Sequence, residues 1–228
     1  MEYRNKVISF SIWGDNPYYL SGLIANLDLV GKYYPGWNCF VYCDSSIPQD
    51  IKNYIKSKNC TLIEKTIISS PYEGAFWRFL PASLPDVDVF IVRDADSRLN
   101  DRERQAVKQW LDSSFPLHTM WDNIAHTAPI MAGMWGCKNP ILKEMEAYIE
   151  SWPNKTYKGT DQDFLLHTVW SKYSEQFLGH DKFCKIDDSR CARYRFGFNN
   201  AIPFPDHAPF NSGSFVGQST RLDGTFDD

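Results

Sequence analysis

The sequence predicts an α/β fold: a Rossmann-like sandwich with a mostly parallel central sheet flanked by helices. Strand and helix signals alternate from residue 6 to residue 99, the pattern of strands joined by helical crossovers. The segment Val87–Arg93 is dominated by Val, Phe and Ile, as a strand buried on both faces requires. No internal repeat, low-complexity tract or linker divides the 228 residues, so a single domain over residues 1–228 is expected.

Each element has its own signal. Lys6–Trp13 reads as the first strand, closed by Gly14-Asp15-Asn16-Pro17. Leu20, Leu23, Ile24, Leu27 and Val30 recur at helical spacing within Tyr18–Tyr34, and Pro35-Gly36 stops that helix. Asn38–Cys43 is the second strand, Ile47–Lys58 a helix and Thr61–Glu64 a short third strand. Gly74–Ala82 reads as a short aromatic helix ahead of the buried strand. Asn100, with Glu103 three residues on, forms a capping box for a helix over Asp101–Ser113. Beyond it, Leu117–Trp121 and Ile130–Trp135 read as strands, and Pro140–Ser151 and Asp161–Ser171 as helices. From Ile186 onward Pro, Gly, Phe and Asn predict mostly loop, and an irregular segment of that length is kept chiefly where it forms part of a site.

Composition narrows the function classes. Lys+Arg 24 against Asp+Glu 28 gives a formal charge of -4, which lacks the basic footprint of a nucleic-acid binder. No apolar run is long enough to span a bilayer, so no integral membrane segment is expected. The N-terminal residues run straight into a strand instead of a signal-peptide core, and cytoplasmic residence is the default expectation. The six cysteines (39, 43, 60, 137, 184 and 191) contain no CxxC pair, which predicts a dispersed, reduced set and no zinc site. Aromatic residues reach 15%, with 8 Trp; besides filling a core, flat rings of this kind stack on the apolar faces of sugars.

The chemistry concentrates at Asp94-Ala95-Asp96, where the buried strand ends in two carboxylates one residue apart. Ligands of open α/β sheets bind just beyond the carboxyl ends of the strands. Two hard oxygen donors with room for phosphate oxygens suit Mg²⁺ or Mn²⁺. A bare Asp-x-Asp is more often an ordinary loop pair, so the preceding strand and the sequence around it decide. That sequence is Phe76-Trp77-Arg78-Phe79-Leu80-Pro81, then Leu84-Pro85-Asp86-Val87-Asp88, then the triplet. Arg102-Glu103, Trp110-Leu111 and His118 follow. Met131-Ala132-Gly133-Met134-Trp135-Gly136-Cys137-Lys138, Thr160-Asp161-Gln162-Asp163 and Phe215-Val216-Gly217-Gln218 complete the set.

This ordered set covers most of the chain and resembles small GT-A fold glycosyltransferases with a DXD motif, similar to those of bacteria and large algal (chlorella) viruses. The resemblance implies a nucleotide-binding half over about residues 1–99 and an acceptor and donor-sugar half over about residues 100–228. It implies metal-dependent transfer of a hexose or deoxyhexose from a nucleotide-diphosphate sugar, UDP-linked by preference, to a glycan hydroxyl, with Mn²⁺ or Mg²⁺ as cofactor.

The same resemblance assigns roles. Arg78 binds phosphate or orients the donor; Asp94 lies near the ribose or holds the metal through water; Asp96 is the direct metal ligand. Arg93, on a strand too apolar to leave a charge unpaired, pairs with either a carboxylate or the diphosphate. Ser11, Trp13 and Gly14 end the first strand where the base docks, and Asp44 after the second strand is a candidate for base or ribose hydrogen bonding. Gly133 and Trp135 belong to the strand walling the donor sugar, where Ala132-Gly133 replaces two adjacent glycines; Trp135 is either a core residue or a sugar platform. Asp161 is a catalytic or acceptor-side carboxylate that takes the acceptor proton in an inverting transfer, with Asp163 the runner-up. Asp122 and His126 are further acceptor-side candidates. A third metal ligand, commonly His, is replaced by acids in Lys185–Ser189: either Asp188 supplies it, with His180-Asp181 a weaker alternative, or the ion has only the triplet and phosphates.

Two other readings use the same residues. A haloacid-dehalogenase-like phosphatase also starts from Asp-x-Asp, although its nucleophile closes the first strand of the domain. A non-catalytic carbohydrate-binding module needs neither the nucleotide-side strand end nor Asp161.

Overall fold

A computed structural model describes residues 3–186, 189–205, 215–221 and 225. Its centre is one eight-stranded sheet in the order β3-β2-β1-β4-β6-β5-β7-β8. The strands are β1 (Lys6–Ile12), β2 (Asn38–Cys43), β3 (Cys60–Glu64), β4 (Val89–Arg93), β5 (Leu117–Trp121), β6 (Met134–Lys138), β7 (Phe177–Asp181) and β8 (Ala201–Ile202). β1 to β4 are mutually parallel along the sheet, β6 runs antiparallel to β4 and β5, and β7 and β8 continue parallel to β5. The mixed, mostly parallel sheet expected from the alternating pattern is present.

Helices connect and cover the strands: α1 (Pro17–Tyr33), α2 (Gln49–Ser57), α3 (Gly74–Trp77), α4 (Asp101–Asp112), α5 (Met145–Ser151), α6 (Thr160–Phe164), α7 (Ser171–Tyr173) and α8 (Ala192–Phe196). α1 starts at Pro17, one residue before the expected Tyr18. The Asn16 side chain accepts from the Tyr18 amide, and Pro17 occupies the first turn, where a missing N–H costs nothing. Alternate strand residues feed two cores. Val7, Phe90 and Val92 join Phe79, Trp121, Trp135 and Phe164 on one face; Ile8, Val89 and Ile91 join Leu23, Val107 and Trp110 on the other. Truncating one such buried aromatic costs about 3–5 kcal/mol.

The differences from the sequence reading are local. The strand expected at Ile130–Trp135 begins only at Met134. Before it, the Gln162 side chain bonds the Ala132 amide and the Ile130 carbonyl, taking the backbone groups a strand would use. The Gly74–Ala82 helix breaks after Trp77 and resumes as a 3₁₀ turn over Leu80–Ser83, with Pro81 opening the second piece. Asp161–Ser171 is α-helical only to Phe164 and π-helical over Leu165–Trp170. The helix read over Pro140–Ser151 starts at Met145. β7 was not foreseen, and α8 and β8 interrupt the tail expected to be loop. Cys184 and Cys191 form a disulfide, so the expectation of an all-reduced set fails for these two. Disulfides belong to oxidising surroundings, which sits poorly with the cytoplasmic expectation. Among the described residues, no helix is long and apolar enough to cross a membrane.

Candidate functional site

β1 leads to β2 on one side and has β4 on the other, so the chain changes direction across the sheet between β1 and β4. Such a switch point opens a crevice at the carboxyl ends of the two strands. A cleft of about 490 Å³ lies there, within the size range of small-molecule sites. Ser11, Ile12 and Trp13 enter it from the end of β1, and Asp94, Ala95 and Asp96 from the end of β4. Arg78 reaches in from behind α3, and Asp161 from the first turn of α6.

Arg78 is the hub. Its guanidinium bonds the Asp94 carboxylate through one terminal nitrogen and Asp161 at 2.9 Å through the other. Its Nε and the buried Ser11 hydroxyl find no hydrogen-bond partner among the described residues. Buried polar atoms are rarely left unsatisfied, so both fit a polar ligand entering the cleft.

The triplet is held from behind. Asn26 of α1 donates to the Ala95 and Ser97 carbonyls at 3.2 and 2.6 Å and accepts from the Leu99 amide at 3.0 Å. Burial and the neighbouring Asp94 charge push the Asp96 carboxyl up to about 6. Two carboxylates that oppose each other's charge at the open end of a strand are a donor set suited to a hard divalent cation. Gly133 faces the Asp94 carboxylate; a Cβ there would run into it. That close approach, more than the donor sugar, accounts for glycine at this position.

The structure moves other expected site residues elsewhere. Arg93 points away from the cleft into the core beneath α4, where Nε bonds Glu103 at 3.2 Å and the Tyr34 hydroxyl donates to the same Glu103 oxygen at 2.9 Å. Of the two partners expected for Arg93, the carboxylate is realised, so this residue is structural. Asn100 does cap α4 by accepting from the Glu103 amide, while the Glu103 side chain goes to Arg93 instead of closing a reciprocal box. Trp135 is fully buried, edge-on to Phe79 and Phe90, and cannot serve as a sugar platform. Asp122 is buried in a two-bond pair with Arg102 at 2.8 and 2.7 Å and lies outside the cleft lining, so it is not a catalytic carboxylate. His126 accepts the Asp122 and Asn123 amides through Nδ1. Gly14 (φ 75°) and Asp44 sit beside the cleft, tied together through Ser46: the Gly14 amide donates to its hydroxyl at 2.7 Å, and its own amide donates to Asp44 at 3.2 Å. Asp163 accepts from the Tyr157 hydroxyl at 2.6 Å. Asp188 lies outside the described residues.

Several cleft residues were missed. Asn16, Tyr19 and Tyr72 extend the aromatic, polar wall on the Trp13 side; burial and the Asp96 and Asp94 charges raise the Tyr19 hydroxyl above its ordinary value. An aromatic in the first turn after a proline-started helix was the available signal. Lys158 and Gly159 line the opposite wall beside Asp161, and Gly217 and Ser219 close the cleft near Asp96. Elsewhere, Asp181 lies close to Cys184 and Cys191. It is no metal centre: the sulfurs are bonded to each other, and Asp181 accepts from the Phe183 and Ala192 amides at 2.8 and 2.6 Å.

No family model and no curated protein matches the chain. Solved structures do. One is glucosyl-3-phosphoglycerate synthase from Mycobacterium tuberculosis in complex with Mn²⁺, uridine diphosphate and phosphoglyceric acid. It is 12% identical with a TM-score of 0.50, over 78% of this chain and 68% of that one. A further structure of the M. tuberculosis synthase gives 11% identity and a TM-score of 0.50 over 91% of this chain and 74% of that one. A cytidylyltransferase from Leptospira borgpetersenii serovar Hardjo-bovis gives 10% identity and a TM-score of 0.50 over 79% and 76%. At these identities the likeness concerns the fold, which is that of the GT-A-type nucleotide-diphospho-sugar transferases.

Proposed function

We propose that the chain is a metal-dependent glycosyltransferase that moves a hexose or deoxyhexose from a nucleotide-diphosphate sugar, UDP-linked by preference, to a glycan hydroxyl. The observation that carries this reading is the convergence, at one switch-point cleft, of the β1 end, the paired acids, Arg78 and Asp161. Aromatic Trp13 and Tyr72 and the unpaired Ser11 hydroxyl suit a nucleoside. Asp94 and Asp96 would hold Mn²⁺ or Mg²⁺, which when bound neutralises charge on a departing diphosphate. Arg78 exchanges its Asp94 contact for the diphosphate and keeps it oriented. Asp161 accepts the proton of the attacking hydroxyl as the bond from that oxygen to the anomeric carbon forms and the bond to the nucleoside diphosphate breaks. The phosphatase reading has less support: β1 ends at Ile12 and is followed by Trp13-Gly14, with no carboxylate there, and Asp94 is engaged by Arg78. A non-catalytic binding module gives no reason for Asp161 to share Arg78 with the triplet.

The test is a thermal-shift screen of UDP, GDP and their sugars with and without Mn²⁺. Stabilisation by UDP that requires the metal is expected, by about 2.7 kcal/mol at a hundredfold excess over the dissociation constant. No shift with any nucleotide would overturn the donor-site assignment. Asp96→Asn should then lower turnover by about a hundredfold or more with the fold intact; retained turnover would make the triplet structural.

A further inference from the structure

The chain segment over residues 215–221 crosses the cleft beside the acidic triplet and is pinned at two points. At one end the Val216 amide donates to Asp122 at 2.9 Å, on the carboxylate already paired with Arg102. The Val216 side chain is fully buried among Met120, Met134 and Phe204. At the other end the Thr220 amide donates to the Asp96 carbonyl at 2.9 Å, Ser219 bridges to Ser97, and the Ser219 hydroxyl donates to the Asp96 carboxylate at 3.3 Å. Between the pins, Gly217 takes a φ of 81°, and a Cβ there would meet the Met134 sulfur. Gly217 and Ser219 line the cleft; Asp122 does not.

We propose that Asp122, held by Arg102, is a positioning residue: it latches the 215–221 strap across the cleft so that Ser219 and the Thr220 amide fix the orientation of Asp96 for a divalent cation. The consequence for the metal rests on the glycosyltransferase reading above; the latch itself does not. Buried Asp122 gains nothing from the cleft directly and touches neither acid of the triplet. Its carboxylate accepts from one guanidinium and one strap amide, which is the arrangement of a clamp. Groups that orient a metal ligand from behind alter metal affinity by about ten- to a hundredfold when removed.

The experiment uses the full chain, unaltered and as Asp122→Ala. Hydrogen exchange of the 215–221 amides is measured without ligand, and UDP affinity is measured in Mn²⁺ and in EDTA. Exchange across the strap should accelerate in the variant, UDP affinity in EDTA should hold, and the gain in affinity conferred by Mn²⁺ should shrink by about ten- to a hundredfold. A merely structural Asp122 would lower both affinities together, and that result would overturn the proposal. So would strap exchange unchanged from the unaltered chain. Asp122→Asn, which keeps an acceptor for Val216 without the charge for Arg102, should fall between. If Asp122→Ala does not fold, Gly217→Ala displaces the strap without touching Asp122; a released strap with an unchanged Mn²⁺ gain overturns the link to Asp96. Absence of Mn²⁺-dependent UDP binding in the unaltered chain overturns the functional reading instead, and the exchange measurement still decides the latch.

Discussion

Arg93 and Arg78 are both buried, ion-paired cations close to the acidic triplet, and they belong to different kinds of region. Arg93 lies in the core under α4, where its side chain and that of Glu103 are each 2% exposed. Arg78 is 10% exposed, but its partner Asp94 is 39% exposed at the cleft. The first pair is closed on every side, so removing one member strands the other in a medium that cannot solvate it. The second pair opens to water on one side, so Asp94 can give up Arg78 to a diphosphate or a cation at modest cost. Exposure of the partner, more than burial of the arginine, separates a structural ion pair from a working one.

The largest effect that tests this contrast is on the closed pair. Glu103→Ala should destabilise the protein by about 3–5 kcal/mol, read as a lower denaturant midpoint with an unchanged slope. A loss no greater than that of an exposed pair, about 0–1 kcal/mol, would erase the distinction. Next comes the open pair. Arg78→Gln should cost less stability than Glu103→Ala, because Asp94 turns to water while Asp161, 11% exposed, is left near a neutral donor. It should weaken UDP binding in Mn²⁺ by about 1.5–3 kcal/mol, the worth of a hydrogen bond to a charged group, measured by calorimetric titration. Unchanged UDP affinity would return Arg78 to the structural class.

The effect smallest at each step, read one pH unit at a time, concerns the buried histidines, which share the closed region. His118 Nε2 and His180 Nδ1 lie 2.8 Å apart, and His180 Nε2 meets Gln109 at 3.0 Å. Burial, with Arg102 nearby, lowers His180 from 6.5 to about 3, and burial with His180 and Arg93 nearby holds His118 well below its ordinary value. Unfolded histidines take up a proton below 6.5, while folded His180 stays neutral down to about 3. The unfolded state therefore binds more protons in that window, and stability falls as pH is lowered through it, by about 1.4 kcal/mol per pH unit for each such group. His180→Gln should flatten the dependence of the denaturant midpoint on pH between those limits; an unaltered slope would assign the acid sensitivity elsewhere.

Much of the chain up to α4 was legible because its signals are local. The periodicity of α1, the Asn100 cap and the apolar run of β4 each lie within one short window of sequence. The position of the triplet at a strand end was likewise readable. What failed depended on partners far along the chain. Arg93 needed Glu103 and Tyr34 to reveal that it faces the core, and Trp135 needed Phe79 and Phe90. The late start of β6 depends on Gln162, and Asp122 depends on Arg102 and on Val216. β7 escaped notice because Phe177-Leu178-Gly179-His180-Asp181 mixes a glycine and two polar residues, all buried through sheet pairing and the His118 and Asp181 contacts that no local pattern displays.

The central claim is that the triplet binds a metal against a nucleotide diphosphate in the β1–β4 cleft. A crystal of the full chain grown with UDP and Mn²⁺, read by the anomalous signal of manganese, tests it most directly. The expected result is a manganese peak bonded to Asp96 and the diphosphate, with the base against Trp13 and Arg78 turned from Asp94 toward phosphate. A nucleotide bound elsewhere, or bound in this cleft with no manganese beside Asp96, would contradict it.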